Sequence, residues 1–152
     1  MTDIRAARAD DLARNVEIWR TSVLATHHFL TPEHFAEIAD LVRTAYLPAA
    51  GLLVAVDGQD VPQAFLGASG GHIDALFVHA DSRGVGFGRK LVEHVRRDRD
   101  TVTVDVNEQN PSGRGFYERL GFAVVGRSET DDDGRPYPLL RLRWRRAGAA
   151  TP

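Results

Sequence analysis

The chain has 152 residues, a formal net charge of -2, and a balance of 43% hydrophobic and 26% charged residues. That length suits one hydrophobic core, the charge is the wrong sign for a general nucleic-acid binder, and a cysteine count of zero excludes disulfides, thiolate nucleophiles and thiolate metal sites. No apolar run approaches the roughly 18 residues of a membrane span, and the charged opening MTDIRAARADD lacks the apolar core of a secretory signal, so the cytoplasm is the expected address.

DIRAA reads as a first strand. Asp10 or Asp11 suits the N-cap of a helix through ADDLARNVEIWRTSVLATHHF, where Leu12, Val16, Trp19 and Val23 recur at helical spacing and Ile18 and Leu24 widen the apolar face. Thr31 and Pro32 open a second helix, with Phe35, Ile38, Leu41, Val42 and Tyr46 on one face. After PAAG, LLVAV and PQAFLGASG read as strands about a DGQD turn, and HIDALFV as the next strand. A glycine-rich loop leads to a helix through GRKLVEHVRRD. TVTVDV alternates as a strand, and NPSGRGFYERL makes a short helix with Asn110 as N-cap and Pro111 at its first position. GFAVVGRSE, the turn TDDDGRP and YPLLRLRW complete the chain, and RRAGAATP is expected to fray. The order β-α-α-β-β-β-α-β-α-β-β predicts a mixed α/β (α+β) domain over residues 1–146, with residues 147–152 as a disordered tail. In RLRWRR, strand alternation puts Arg141, Arg143 and Arg145 on one face. They are either a solvated edge that discourages further pairing or a contact for RNA or an acidic partner.

The loop DSRGVGFGRKL carries Gly84, Gly86 and Gly88 between Arg83 and Arg89. It fails G-x-x-x-x-G-K-[ST], because Arg89 stands where the second glycine belongs and Leu91 follows Lys90. It also fails G-x-G-x-x-G, read from either Gly84 or Gly86. Glycines nevertheless let a backbone approach a ligand closely, and a strand-to-helix loop presents unpaired N–H groups and the positive helix end to an anion. The two readings are an anion cradle, with pyrophosphate as guest, and a tight turn that only starts a helix.

RGVGFG, Arg83 to Gly88, fits R-x-x-G-x-G, and about twenty residues on comes NPSGRGFYERLGF. In this order the pair resembles the GNAT superfamily of acetyl-CoA-dependent N-acetyltransferases. The second motif matches at Asn110, Phe116, Tyr117, Arg119, Gly121 and Phe122. ATHHFL, VNEQN, GRSE and DGRPYPLL are similar to the YjaB-type bacterial branch. Three positions depart from the family pattern: Ala80 where proline is frequent, Ser82 where an aromatic is common, and Gly113 for alanine. Gly113 and Gly115 each cost about 1 kcal/mol of helix propensity, which predicts a loose start to the helix carrying Tyr117.

The resemblance implies a single-domain fold with a mostly antiparallel, mixed seven-stranded sheet, splayed middle strands and about four flanking helices. It implies acetyl-CoA as co-substrate, no metal, and acyl transfer to a primary amine of a small molecule or peptide. The pyrophosphate would lie on Arg83, Gly84, Val85, Gly86, Gly88 and Arg89. The pantetheine arm would lie along Leu76, Phe77 and Val78, with Asn107, Asn110, Phe116 and Tyr117 also contacting the coenzyme. Leu76, Phe77 and Val78 read equally as core residues of a buried strand. A backbone N–H at or near Val78 would polarise the thioester carbonyl. Tyr117 would donate a proton to the departing sulfur, since a phenol with a pKa near 10 is protonated at neutral pH; read alone, it is a core aromatic with a satisfied hydroxyl. His72 and Asp74, two apart and so on one strand face, are candidates for the base that neutralises the amine, against a polar pair at a strand's open end or deprotonation by solvent. An imidazole with a pKa of about 6.5 suits that role.

Trp19, His27, His28, Phe29 and Tyr137 are candidates for the acceptor pocket, with helix packing as the alternative. Adjacent histidines without a carboxylate at i+3 or i+4 do not make a metal pair. Two rival functions stand beside catalysis on amines: an acyl-CoA-binding regulator with little turnover, and a toxin-like acetyltransferase acting on aminoacyl-tRNA, which the net charge disfavours. The absence of cysteine rules out an acetyl-cysteine intermediate and favours direct attack in a ternary complex. Either a monomer or a homodimer is compatible with the sequence, and no membrane partner is expected.

Overall fold

The computed structural model describes residues 3–49 and 51–148. Ala50 and the last four residues of the expected tail lie outside the described residues. Strand β1 (Asp3–Ala6) precedes helix α1 (Leu12–Thr26) and helix α2 (Pro32–Leu41), which continues through a π-helical turn (Val42–Tyr46) into the single turn α3 (Leu47–Ala49). Strands β2 (Leu53–Val56), β3 (Pro62–Ser69) and β4 (His72–Val78) follow, then helix α4 (Phe87–Arg96), strand β5 (Thr101–Asn107), helix α5 (Pro111–Arg119), and strands β6 (Ala123–Ser128) and β7 (Leu139–Arg145). The seven strands form one sheet in the order β1-β2-β3-β4-β5-β7-β6. β4 runs parallel to β5, while β1-β2, β2-β3, β5-β7 and β6-β7 are antiparallel. The expected element order and mixed sheet are both present.

The contacts gather into two compact units, one of residues 1–67 and 75–92, the other of residues 68–74 and 93–152. In the first, Ile18, Trp19 and Val23 of α1 pack with Leu47, Leu52, Val54, Val56 and Phe65. Phe35, Ile38, Val42 and Tyr46 join that core from α2 and the turn after it, and Trp19 stacks on Phe35 at 5.4 Å. Leu24 and Leu41, expected on the apolar faces, are instead exposed. Helical periodicity assigns a residue to a stripe, but the stripe is wider than the surface that covers it.

Neither Asp10 nor Asp11 caps α1 through its side chain. A 3-10 turn (Ala9–Asp11) precedes the helix, and the buried Asp11 carboxylate turns back to accept from the Arg8 N–H and the Arg5 guanidinium, both at 2.8 Å. Arg5 holds that carboxyl below its ordinary range. Thr31 and Pro32 do open α2 as expected, the Thr31 hydroxyl accepting from His34 N–H.

In the second unit β7 lies between β5 and β6, so its arginines are not on an edge strand. Arg141 forms a two-pronged ion pair with Asp105 at 2.8 and 3.0 Å. Arg146 donates to the carbonyls of Arg96, Arg97 and Arg99, closing the C-terminal end of α4. The Arg96 and Arg146 guanidinium groups stand 4.9 and 5.6 Å from the Trp144 ring centroid. Two arginines of the basic run are thus engaged inside the fold. β6 is the edge, exposed along its whole length.

Gly67 of β3 occupies a place a side chain would contest, because a Cβ there would collide with the Tyr46 hydroxyl. Gly67→Ala is expected to lower stability by about 1–3 kcal/mol, and Tyr46→Phe in that background to recover most of the loss. Equal denaturation midpoints for Gly67→Ala and the native protein would exclude this contact as the constraint.

Candidate active site

β4 leads into the glycine loop. Ala75 and Phe77 pack against the core of the first unit, Phe77 lying 5.6 Å from Phe65, so alternation turns Leu76 and Val78 to the other face. Leu76, Phe77 and Val78 are all partly buried. A 3-10 turn (Ala80–Ser82) separates the strand from Arg83. Gly84 and Gly86 have φ of 81° and 97°, the left-handed region that favours glycine. A Cβ built on either meets nothing within 4 Å, so conformation and not crowding selects glycine there. Val85 between them is 66% exposed, Arg83 and Arg89 are exposed, and Gly88 is buried in the first turn of α4. Open space beside the first amides of a ten-residue helix, flanked by two guanidinium groups, fits a phosphate-bearing ligand.

Tyr117 sits on α5, in the second unit. The Asn110 carboxamide oxygen accepts from Gly113 N–H at 3.1 Å and Pro111 occupies the first turn, so the helix starts with a cap and not loosely. A Cβ on Gly113 would stand 2.6 Å from that carboxamide nitrogen, which accounts for glycine in place of alanine. The Tyr117 ring is wedged between Phe116 and Phe122, at 5.0 and 5.2 Å, and is 5% exposed. Burial pushes its phenol above the ordinary tyrosine range, so the proton stays on oxygen at neutral pH. Asn107 ends β5, and its carbonyl accepts from Asn110 N–H.

His72 and Asp74 flank the buried Ile73 at the start of β4. The ladder with β5 pairs His72 with Thr103 and Ile73 with Val104. The His72 Nδ1 lies 2.7 Å from the Thr103 hydroxyl, and its Nε2 lies 3.8 Å from the Asp105 carboxylate that holds Arg141. Asp74 is exposed and accepts from the Ser69 hydroxyl at 2.7 Å. Thr103 and Asp105 were not singled out in the sequence, although period-two alternation along TVTVDV already places them on one face, and Arg141 was read there as a solvated edge or a partner contact and not as the mate of Asp105.

Of the residues expected to form an acceptor pocket, Trp19 is 4% exposed and engaged in helix packing. His27 follows α1, its Nδ1 2.7 Å from the Thr26 hydroxyl and its ring 5.3 Å from Phe29. Burial, reinforced by the neighbouring His28, pushes the His27 imidazole down to about 4 and keeps it neutral at pH 7. His28 is exposed, Phe29 is partly buried, and Tyr137 is buried just before β7. Among the described residues no three histidine, aspartate or glutamate side chains gather as a metal site.

A family model described as an acetyltransferase (GNAT) domain matches residues 25–138. The chain belongs to the GNAT family of acetyltransferases. It is 50% identical over 141 residues, 93% of this chain and 95% of the relative, to the peptidyl-lysine N-acetyltransferase YjaB of Escherichia coli K12. The Salmonella typhimurium protein of the same name is 49% identical over 93% of this chain and 97% of its own. The solution structure of apo YjaB from Escherichia coli superposes with a TM-score of 0.90 at 49% identity, covering 95% of this chain and 97% of that one. A GCN5-related N-acetyltransferase structure from Rhodopseudomonas palustris, at 22% identity, 96% coverage of both chains and a TM-score of 0.80, shares the fold. As a GNAT enzyme, this chain transfers an acetyl group from acetyl-CoA to an amine.

If the GNAT loop is the anion cradle, Gly86→Val forces a β-branched residue into a left-handed conformation. Calorimetric titration with acetyl-CoA is then expected to show at least a tenfold loss of affinity in a folded variant, about 1.4 kcal/mol. Native affinity would identify the loop as a turn only.

Proposed function

We propose that the acceptor is the ε-amine of a lysine in a protein or peptide, acetylated by direct attack in a ternary complex. The observation that carries this reading is the 50% identity, over nearly the full length of both chains, to an enzyme named a peptidyl-lysine N-acetyltransferase. We further propose that residues 1–146 act as one catalytic domain, working in the cytoplasm. The single family match across residues 25–138 supports that reading.

Acetyl-CoA supplies an activated acyl thioester. Arg83, Gly84, Val85, Gly86, Gly88 and Arg89 hold its pyrophosphate, and the backbone of Leu76, Phe77 and Val78 receives its pantetheine arm. Asn107, Asn110 and Phe116 complete the coenzyme contacts. The nitrogen–carbon bond forms as the carbon–sulfur bond breaks, with a backbone N–H near Val78 stabilising charge on the carbonyl oxygen. The Tyr117 hydroxyl gives its proton to the departing sulfur and is reprotonated from solvent.

His72 or Asp74, through water, takes the proton that the amine must lose. Of the two, His72 stands beside the Thr103 hydroxyl at 2.7 Å and Asp74 accepts from the Ser69 hydroxyl at 2.7 Å. His27, His28, Phe29 and Tyr137 shape the acceptor side. The neutral His27 there adds no repulsion toward a cationic lysine at pH 7.

Tyr117→Phe is expected to lower turnover on a lysine peptide about 10²-fold or more while leaving acetyl-CoA affinity within about twofold. Thiol release and calorimetry measure the two quantities. Undiminished turnover would remove Tyr117 as the acid, and folded native protein that binds acetyl-CoA but acetylates no lysine peptide would favour a binding role.

A further inference from the structure

His79 is the residue that links β4 to the coenzyme loop, and its side chain is nearly as buried as a core residue at 6% exposure. Buried polar side chains are retained where their hydrogen bonds are used. Its Nδ1 accepts from the Asp81 N–H at 3.1 Å, which places the ring proton on Nε2, and Nε2 points to the Glu17 carboxylate of α1 at 3.4 Å. Its backbone N–H donates to the Gln63 carbonyl of β3 at 2.8 Å, and its carbonyl accepts from Ser82 N–H at 2.8 Å.

The next residues are fastened to the same two elements. The Ala80 N–H donates to the Thr21 hydroxyl of α1 at 3.2 Å. A proline, frequent in the family at this position, has no N–H and could not make that bond. The Ser82 hydroxyl donates to the Gln63 side-chain oxygen at 2.5 Å, and Arg14 of α1 donates to the same oxygen at 3.1 Å. Ser82, where an aromatic is common, and Ala80 therefore depart from the family pattern for one physical reason. In this chain the turn before the glycines is tied by hydrogen bonds to α1 and β3.

The consequence concerns Gly84 and Gly86, which begin two residues after Ser82. An added Cβ on either would find only open space, so no side-chain packing fixes them; the Gly86 carbonyl is held from α4 by the Lys90 N–H at 3.1 Å, and the preceding turn sets the entrance. We propose that His79 is a positioning residue for coenzyme binding, its Nδ1 acceptor and the Thr21–Ala80 bond together fixing the turn that aims the loop amides. The inference rests on the reading of that loop as the pyrophosphate cradle.

Two substitutions separate the acceptor from the bulk of the ring. His79→Ala removes the acceptor. His79→Asn returns an oxygen close to the Nδ1 position, and asparagine is a favoured capping residue. In calorimetric titrations with acetyl-CoA and with free CoA, His79→Ala is expected to bind both about tenfold more weakly, the effect of one lost buried hydrogen bond. The kcat at saturating acetyl-CoA should stay within about twofold of native, as for an effect confined to binding. His79→Asn should recover native affinity within about twofold. Thr21→Val, which leaves His79 intact, should weaken binding in the same direction and keeps the test open if His79→Ala does not fold.

Native affinity in both His79→Ala and Thr21→Val would overturn the proposal, and so would equal losses in His79→Ala and His79→Asn. Gly86→Val distinguishes the two levels of failure. If it binds coenzyme normally, the cradle reading falls. If it loses binding while folded His79→Ala keeps it, only the role of His79 falls.

Discussion

Two left-handed backbone positions, Gly84 and Gly86, constrain the rest of the molecule. Nothing crowds them, yet their φ values exclude ordinary side chains. A loop of this kind has no packing of its own to define it. It needs a rigid entrance and a rigid exit. The exit is α4, whose Gly88, Leu91 and Val92 are buried. The entrance is the end of β4, with Phe77 set against Phe65 and His79 bonded to β3 and α1. The first unit, with its core of α1 against β2 and β3, thus supplies a fixed mount for an open backbone.

The second unit meets a different requirement. The ring of Tyr117, the proposed proton donor, is held between two phenylalanines, and burial raises its phenol above the ordinary tyrosine range. The neighbouring strands carry polar groups on one face and Ile73, Val102, Val104 and Leu142 on the other. On the polar face, His72, Thr103, Asp105 and Arg141 form a connected set, with Arg141 ion-paired to Asp105 and His72 beside the Thr103 hydroxyl.

Most of the fold was legible in the sequence because local rules and tertiary outcome agree. Thr31-Pro32 and Asn110-Pro111 open helices as written, and the alternation in TVTVDV gives β5 its buried and polar faces. The failures have particular causes. Asp11 has the composition of a cap, but Arg5 of β1 competes for its carboxylate at 2.8 Å. RLRWRR has the composition of an edge, yet strand order is a property of the whole chain, and β7 pairs on both sides. Leu24 and Leu41 follow the helical period but lie beyond the covered stripe. Of the site, the glycine loop and the helix of Tyr117 were visible as motifs. The tethers at His79 were not, since they join residues as far apart as Glu17 and His79, and no local pattern encodes such a pairing.

The central chemical claim is that the amine attacks the thioester directly, with both substrates bound. A chain without cysteine has no thiol to carry the acetyl group between two half-reactions, and the residues proposed for the site supply proton transfer and charge stabilisation instead. Initial rates of thiol release, with acetyl-CoA varied at several fixed concentrations of a lysine peptide, test this most directly. Direct attack in a ternary complex gives double-reciprocal lines that intersect. Parallel lines, with exchange of label between acetyl-CoA and CoA in the absence of peptide, would reveal a covalent acetyl-enzyme and contradict it.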